Sequence, residues 1–176
     1  AANANWAVFA ANFAMGSDET NIQPGLDFFR QLAQSGNLIP VAPSAANIEK
    51  GEAPIVIDWD FLTLYHRDRL QGKIPLEVII PQDGTVIGAY VSILNRWAPH
   101  PNAAKLWQEF VLSDEGQINL AKGYARPIRD VKLPPEVAQK LLPADAYKSA
   151  KAITNWQAFE ESAKKVAADW AQVIGR

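Results

Sequence analysis

An α/β class with more helix than strand follows from three features of this 176-residue sequence. Apolar positions recur at helical spacing in several segments, and short β-branched runs stand between them. Gly, Pro, Ser and Asp occupy the points where one pattern gives way to the next. With 48% hydrophobic and 10% aromatic residues, a chain of this length buries the core of one ordinary domain.

Taken in order, residues 5 to 15 read as a helix, and after Pro24 and Gly25 the stripe Leu26, Phe29, Leu32, Ala33 is a second, ending at Gly36 as its C′ residue. Ser44 caps a short helix closed by Gly51. PIVI, residues 54 to 57, is a strand by composition. Asp60 then precedes a helical stripe of Phe61, Leu64 and Tyr65 that stops at Gly72. PLEVII, residues 75 to 80, is a second strand, and Asp83-Gly84 reads as a turn into TVIGAYVSIL, residues 85 to 94.

HPNAAKLWQEFVL is an amphipathic helix: Pro101 suits its first turn, and Ala103, Leu106, Trp107, Phe110 and Val111 make one apolar face. Ser113 caps a following helix that closes at Gly123. Residues 127 to 148 carry four prolines around one helical stretch, PEVAQKLL. In the last helix Thr154 and Gln157 have capping-box spacing, while Trp156, Phe159, Ala163, Val166, Trp170 and Val173 line one face. Glu160 with Lys164, and Glu161 with Lys165, pair on the other. No internal repeat or low-complexity segment interrupts this order.

Composition excludes several classes of function. Lys and Arg number 17 against 19 Asp and Glu, for a net charge of -2, and the longest basic run is Lys164-Lys165, so no nucleic-acid footprint is expected. The most apolar stretch, WAVFAANFAM, is interrupted by Asn12 and falls short of the roughly 18 residues of a membrane span. The absence of cysteine rules out thiol catalysis, thiolate metal sites and disulfides. AANANWAVFA has no charged n-region and no cleavage pattern, so it is not expected to be a signal peptide; it reads as starting in mid-pattern.

The chemistry concentrates at Asp58-Trp59-Asp60, where a β-branched run meets a helical pattern. On extended backbone the two carboxylates share a face about 7 Å apart, a separation compatible with a glycosidase-like acid and base. Asp60 stands where an N-cap is expected, which gives it a structural role. Asp58 has no such role, and a carboxylate at the end of an apolar strand must stay hydrated or find a partner. In open α/β sheets that position borders the ligand crevice, so a binding cleft is the preferred reading over a catalytic pair. No nucleophile elbow, phosphate loop or dinucleotide fingerprint accompanies the pair. His66, in HRDR, reads as a solvated helix residue and His100 as a helix-start residue; their separation gives no zinc-ligand spacing, so no metal and no cofactor are expected. Tyr65, Tyr90, Tyr124 and Tyr147 are dispersed, with rings suited to the wall of a polar-solute pocket.

GEAPIVIDWDF, IPLEVIIPQDGTVIGAYVSI, APHPNAAKLWQEFVLSDEGQ and KGYARPIR, in that order, resemble the extracellular solute-binding proteins of bacterial ABC importers, in the subgroup whose members bind polyamines, ferric iron or phosphonate-type solutes. The resemblance implies a periplasmic-binding-protein-like (type II) architecture of two lobes around a solute cleft, of which this sequence resembles the C-terminal half. It places residues 1-85 in the second lobe, 86-128 across to the first lobe, and 129-176 back in the second. It also implies periplasmic or extracellular location, a membrane permease as partner, and either the other half or a second copy of the chain to cover exposed strand edges.

Carried over residue by residue, the resemblance marks Asp58, Trp59 and Asp60 as cleft residues, Asp83, Gly84 and Thr85 as a turn near the hinge, Tyr124 with Arg126 as a contribution from the far lobe, and Tyr90 on a crossing strand. Two carboxylates beside an indole favour a cation, hence an amine-bearing solute such as a polyamine. The iron-binding branch uses adjacent tyrosines, which this sequence lacks. Arg126 keeps a phosphonate group in play, and an aminophosphonate would satisfy both signs of charge. A self-sufficient interaction or assembly module and, last, a carboxylate-dependent hydrolase are the alternatives to non-enzymatic solute capture.

Overall fold

The computed structural model describes residues 2–39, 41 and 43–175. Its elements are α1 (Ala2–Ala14), α2 (Gln23–Gln34), α3 (Ala45–Glu49), α4 (Asp60–Arg69), β1 (Val86–Ile87), α5 (Pro101–Leu112), α6 (Asp114–Lys122), α7 (Pro135–Ala138), a 3₁₀ turn (Ala144–Tyr147), β2 (Lys151–Ala152) and α8 (Trp156–Val173). None of the described helices is long and apolar enough to cross a membrane.

The core lies where α1, α2 and α8 meet. Val8, Phe9 and Phe13 of α1 pack with Ile22, Leu26 and Phe29 at α2, with Ile153 just past β2, and with Val166 and Val173 of α8. Aromatic pairs join the layers: Phe9 and Phe159 centroids are 4.5 Å apart, and Phe29 meets Trp170 edge-on at 5.6 Å. Burying polar groups in this core requires partners, and each has them. The Asn12 amide donates to the Asp18 carbonyl at 2.7 Å and its carbonyl accepts from the Gly25 N–H at 3.0 Å, tying α1 to the start of α2. Glu19, 4% exposed, accepts from the Thr154 N–H, the Thr154 hydroxyl and the Asn155 N–H at 2.6 to 2.8 Å.

Helix ends follow local chemistry closely. Ser44 accepts from the Asn47 N–H, Ser113 from the Gly116 N–H, and Gly36 and Gly51 take the left-handed conformation just past their helices. The capping box expected at Thr154 is not formed. Asn155 is the N-cap of α8, accepting from the Ala158 N–H at 3.0 Å, because Thr154 is engaged by Glu19. Glu160 pairs with Lys164 at 2.8 Å as expected, whereas Lys165 turns to Asp169 instead of Glu161.

Strand expectations fare differently. Residues 54–57 and 75–80 enter no ladder among the described residues, and of 85–94 only Val86 and Ile87 do. Those two pair in parallel with Lys151 and Ala152, not as a hairpin across Asp83-Gly84. The physical reason is the lack of neighbours: Ile55 is 87% exposed and Ile79 70%, so their β-branched side chains hold extended backbone without a partner strand. Helix α5 is likewise formed but unburied, with Leu106 71% and Trp107 62% exposed.

Candidate functional site

The Asp58-Trp59-Asp60 cluster sits at the start of α4. Trp59 is the N-cap, with extended backbone (φ −61°, ψ 142°), and its carbonyl accepts from the N–H groups of Leu62 and Thr63. Asp58 accepts the Trp59 N–H on Oδ1 at 2.8 Å. Asp60, expected as the N-cap, is instead the first helical residue, and its Oδ2 accepts from the Tyr147 hydroxyl at 2.7 Å. Once its backbone turns into helical register, its carboxylate reaches outward to Tyr147; the charge still favours the helix dipole from within the first turn.

Trp59 belongs to an aromatic wall. Its ring centroid is 5.8 Å from Trp6 and 6.3 Å from Tyr90, and Tyr90 meets Phe61 edge-on at 6.2 Å. Gly88, just past β1, makes room for the indole: a Cβ there would stand 2.6 Å from Trp59 Cη2. Tyr90 is 79% exposed, so this wall faces solvent.

Arg126 reaches the same cluster through Tyr147. Its guanidinium lies 4.3 Å from the Tyr147 ring centroid and donates to the Leu142 carbonyl at 2.7 Å. Burial pushes the Tyr147 hydroxyl above its ordinary pKa; Arg126 opposes that shift and the Asp60 carboxylate adds to it. Asp60 and Arg126 are thus linked by an aromatic residue whose sequence surroundings, a proline-punctuated turn, carried no signal of the role.

Tyr124 occupies a different place. Its backbone is left-handed (φ 70°), a conformation that a side chain with a Cβ adopts only when its surroundings hold it. The hydroxyl donates to Asp68 Oδ2 at 3.0 Å, the ring meets Tyr65 edge-on at 6.0 Å, and the Lys140 ammonium stands 5.2 Å from the ring centroid. Asp68 Oδ1 accepts from Arg67 Nε at 2.7 Å; this bond holds the carboxyl below its usual range, against the effect of burial and with help from Tyr124. Burial and then Asp68 raise the Tyr124 hydroxyl. Residues 124 to 126 therefore run along α4 in the opposite direction, Tyr124 beside its C-terminal half and Arg126 linked to its first residue.

A cleft of about 990 Å³ opens beside Tyr124, lined by Arg67, Asp68, Lys73, Gln139 and Lys140 among others. Its lining does not include Asp58, Trp59 or Asp60; Asp68 lies eight positions along α4 from Asp60, about 12 Å along the axis. His66, expected on a solvated helix face, is instead partly buried, with its Nδ1 enclosed.

The third expected group, Asp83, Gly84 and Thr85, lies against α1. A Cβ on Gly84 would stand 2.7 Å from the Ala10 carbonyl oxygen and 2.8 Å from Ala14 Cβ, so the close approach that this glycine permits is to a helix. The Thr85 hydroxyl donates to the Pro81 carbonyl at 2.5 Å, and its own carbonyl accepts from the Lys151 N–H at 2.8 Å, leading into the β1–β2 ladder. The structure thus brings Asp58, Trp59, Asp60 and Tyr90 together, joins Arg126 to them through Tyr147, and sets Tyr124 and residues 83–85 apart. Among the described residues, no group of three or more His, Asp or Glu side chains forms a potential metal site.

In a comparison with protein families, the family model for bacterial extracellular solute-binding protein fits residues 2–161. No curated protein matches the chain.

Proposed function

Because the chain belongs to the bacterial extracellular solute-binding protein family, we propose that it captures a small amine-bearing solute for an ABC importer, without turnover, in the periplasm or at the cell surface. The observation that carries the solute class is the arrangement at the head of α4. Two carboxylates flank Trp59, and the open ring of Tyr90 stands beside it. An ammonium group placed there meets carboxylates and an aromatic face, the cation–π part being worth about 0.5–1 kcal/mol at an exposed ring and about 2 kcal/mol once a second lobe desolvates it. A simple anion would meet the same carboxylates unfavourably. Arg126 is proposed to act with this cluster when a second lobe closes over it, with Asp83, Gly84 and Thr85 at the hinge, while Tyr124 serves ligand binding in the separate cleft beside the C-terminal half of α4.

The packing of α8 against α1 and α2 supports assigning residues 129–176 to the same lobe as residues 1–85. Residues 86–128, proposed to cross to the other lobe, include helix α5, which buries no side chain among the described residues. That exposed helix also favours a second reading, a module completed by the other half of a binding protein, by a second copy of the chain, or by the importer's permease.

The experiment is a titration with putrescine, spermidine and 2-aminoethylphosphonate against inorganic phosphate, followed by tryptophan fluorescence and thermal stability. An amine should change the fluorescence, and Asp58→Asn should weaken its binding while leaving the unliganded melting temperature in place, since Asn keeps the oxygen that accepts from the Trp59 N–H. Stabilisation by phosphate with no response to any amine would show the cation reading to be wrong.

A further inference from the structure

The cleft at the C-terminal end of α4 has its own chemistry. Three cationic side chains, Arg67, Lys73 and Lys140, line it with one carboxylate, Asp68. Asp68 is already engaged, by Arg67 on one oxygen and by Tyr124 on the other, and Lys73 meets Glu49 at 2.9 Å. Lys140 is different. Among the described residues it lies beyond ion-pair distance of any carboxylate, its charge acting on Asp68 only from farther off, and its ammonium has one long hydrogen bond, 3.4 Å, to the Lys122 carbonyl.

Basic residues in the last turn of a helix have an ordinary explanation, since they complement its dipole. That accounts for Arg67, but not for Lys140, which arrives from the segment after α7 and stands over the Tyr124 ring. The left-handed backbone of Tyr124 presents that ring and hydroxyl to the cleft wall. Gln71 and Gln139 add amides able to donate or accept. A volume of about 990 Å³ is ample for a small organic solute.

We propose that this cleft binds the oxyanion group, carboxylate or phosphate, of a small polar solute, with the Lys140 ammonium as its principal charged contact and Tyr124 as its aromatic wall. The site is separate from Asp58 and Trp59 and does not depend on what they bind.

The test is calorimetric titration of the 176-residue chain with inorganic phosphate and, separately, with succinate, at matched ionic strength set by chloride. Saturable binding of either probe is expected, and the stronger of the two identifies the oxyanion. Lys140→Gln should weaken that binding by about tenfold or more, as befits a lost charge-assisted hydrogen bond. Lys140→Arg should recover part of it, and Asp58→Asn should leave it unchanged. Unliganded melting temperatures matching the parent chain would establish that the variants fold. The proposal is overturned if neither probe binds, if Lys140→Gln binds as well as the parent, or if Asp58→Asn weakens binding as much as Lys140→Gln. An amine response at Trp59 with no oxyanion binding would retain the amine-capture reading and remove this one.

Discussion

The Tyr147 hydroxyl donates a 2.7 Å hydrogen bond to Asp60 Oδ2 across a sequence separation of 87 residues. It fastens the turn that carries Tyr147 to the first residue of α4, and through the Arg126 guanidinium it fastens residue 126 to the same place. The head of α4 is therefore set by a contact from the last third of the chain.

Tyr147→Phe should cost about 1.5 kcal/mol, the lower end of the range for a hydrogen bond to a charged group, since this one is only part-buried. Asp60→Ala and Asp60→Ser should each cost a similar amount, because a serine hydroxyl does not extend to Tyr147. The decisive measurement is a double-mutant cycle by urea denaturation: combining Tyr147→Phe with Asp60→Ala should add little to either alone. Full additivity, or a neutral Asp60→Ser, would mean that Asp60 acts on its own helix end instead.

Glu19 should make the fold acid-sensitive. Its carboxylate is desolvated, which alone would raise its pKa, yet the Thr154 hydroxyl and the N–H groups of Asn155 and Thr154 outweigh that and bring it to about 2 from an ordinary 4.5. A depressed carboxylate stabilises the fold above its unfolded pKa, and the contribution is lost as pH falls through the window from about 4.5 towards about 2. A shift of this size corresponds to up to about 3 kcal/mol. Urea unfolding of the parent and Glu19→Gln over a pH series should show a gap that is constant near neutrality and narrows across that window; a gap independent of pH would exclude the mechanism.

The helix starts and stops were legible in the sequence because they are decided within a few residues. Ser44 and Ser113 find amide donors three positions ahead, and Gly36 and Gly51 need only their own backbone freedom. The β-branched runs at 54–57 and 75–80 told only that the backbone would be extended; whether an extended segment joins a ladder depends on a neighbour that lies elsewhere in the sequence. The candidate site was partly legible for the same reason. Asp58, Trp59 and Asp60 stand together in sequence, whereas Tyr147, Gly88 and Trp6 join them through tertiary contacts that no local pattern announces.

Gly84→Ala and Gly88→Ala should separate two kinds of close approach. The added methyl at residue 84 meets the Ala10 carbonyl oxygen and Ala14 Cβ, atoms fixed in α1, so it should destabilise by about 1–3 kcal/mol. At residue 88 it meets the far edge of the Trp59 ring, which can tilt. Stability should then change less, while tryptophan emission shifts and amine binding weakens. Equal destabilisation with unchanged emission would place Trp59 outside the affected contact.

The exposed face of α5 should drive association. Leu106→Gln with Trp107→Gln removes apolar surface that the described residues do not cover, so thermal stability should hold while binding of a hydrophobic dye falls and light scattering shifts towards the monomer. A parent chain that is already monomeric with little dye binding would refute this.

The meeting of α1 and α2 with α8 has a consequence for the order of events during synthesis. The helices that form the first half of this core emerge from the ribosome more than a hundred residues before the helix that seals it. At ordinary elongation rates that interval is on the order of ten seconds. Closing the intervening loop costs about 4 kcal/mol of chain entropy, which docking of α8 must overcome. Phe9, Phe13 and Phe29 therefore await their cover until α8 has emerged, and nascent chains stalled before Trp156 should be cut readily by protease within α1 and α2, while chains carrying all of α8 resist.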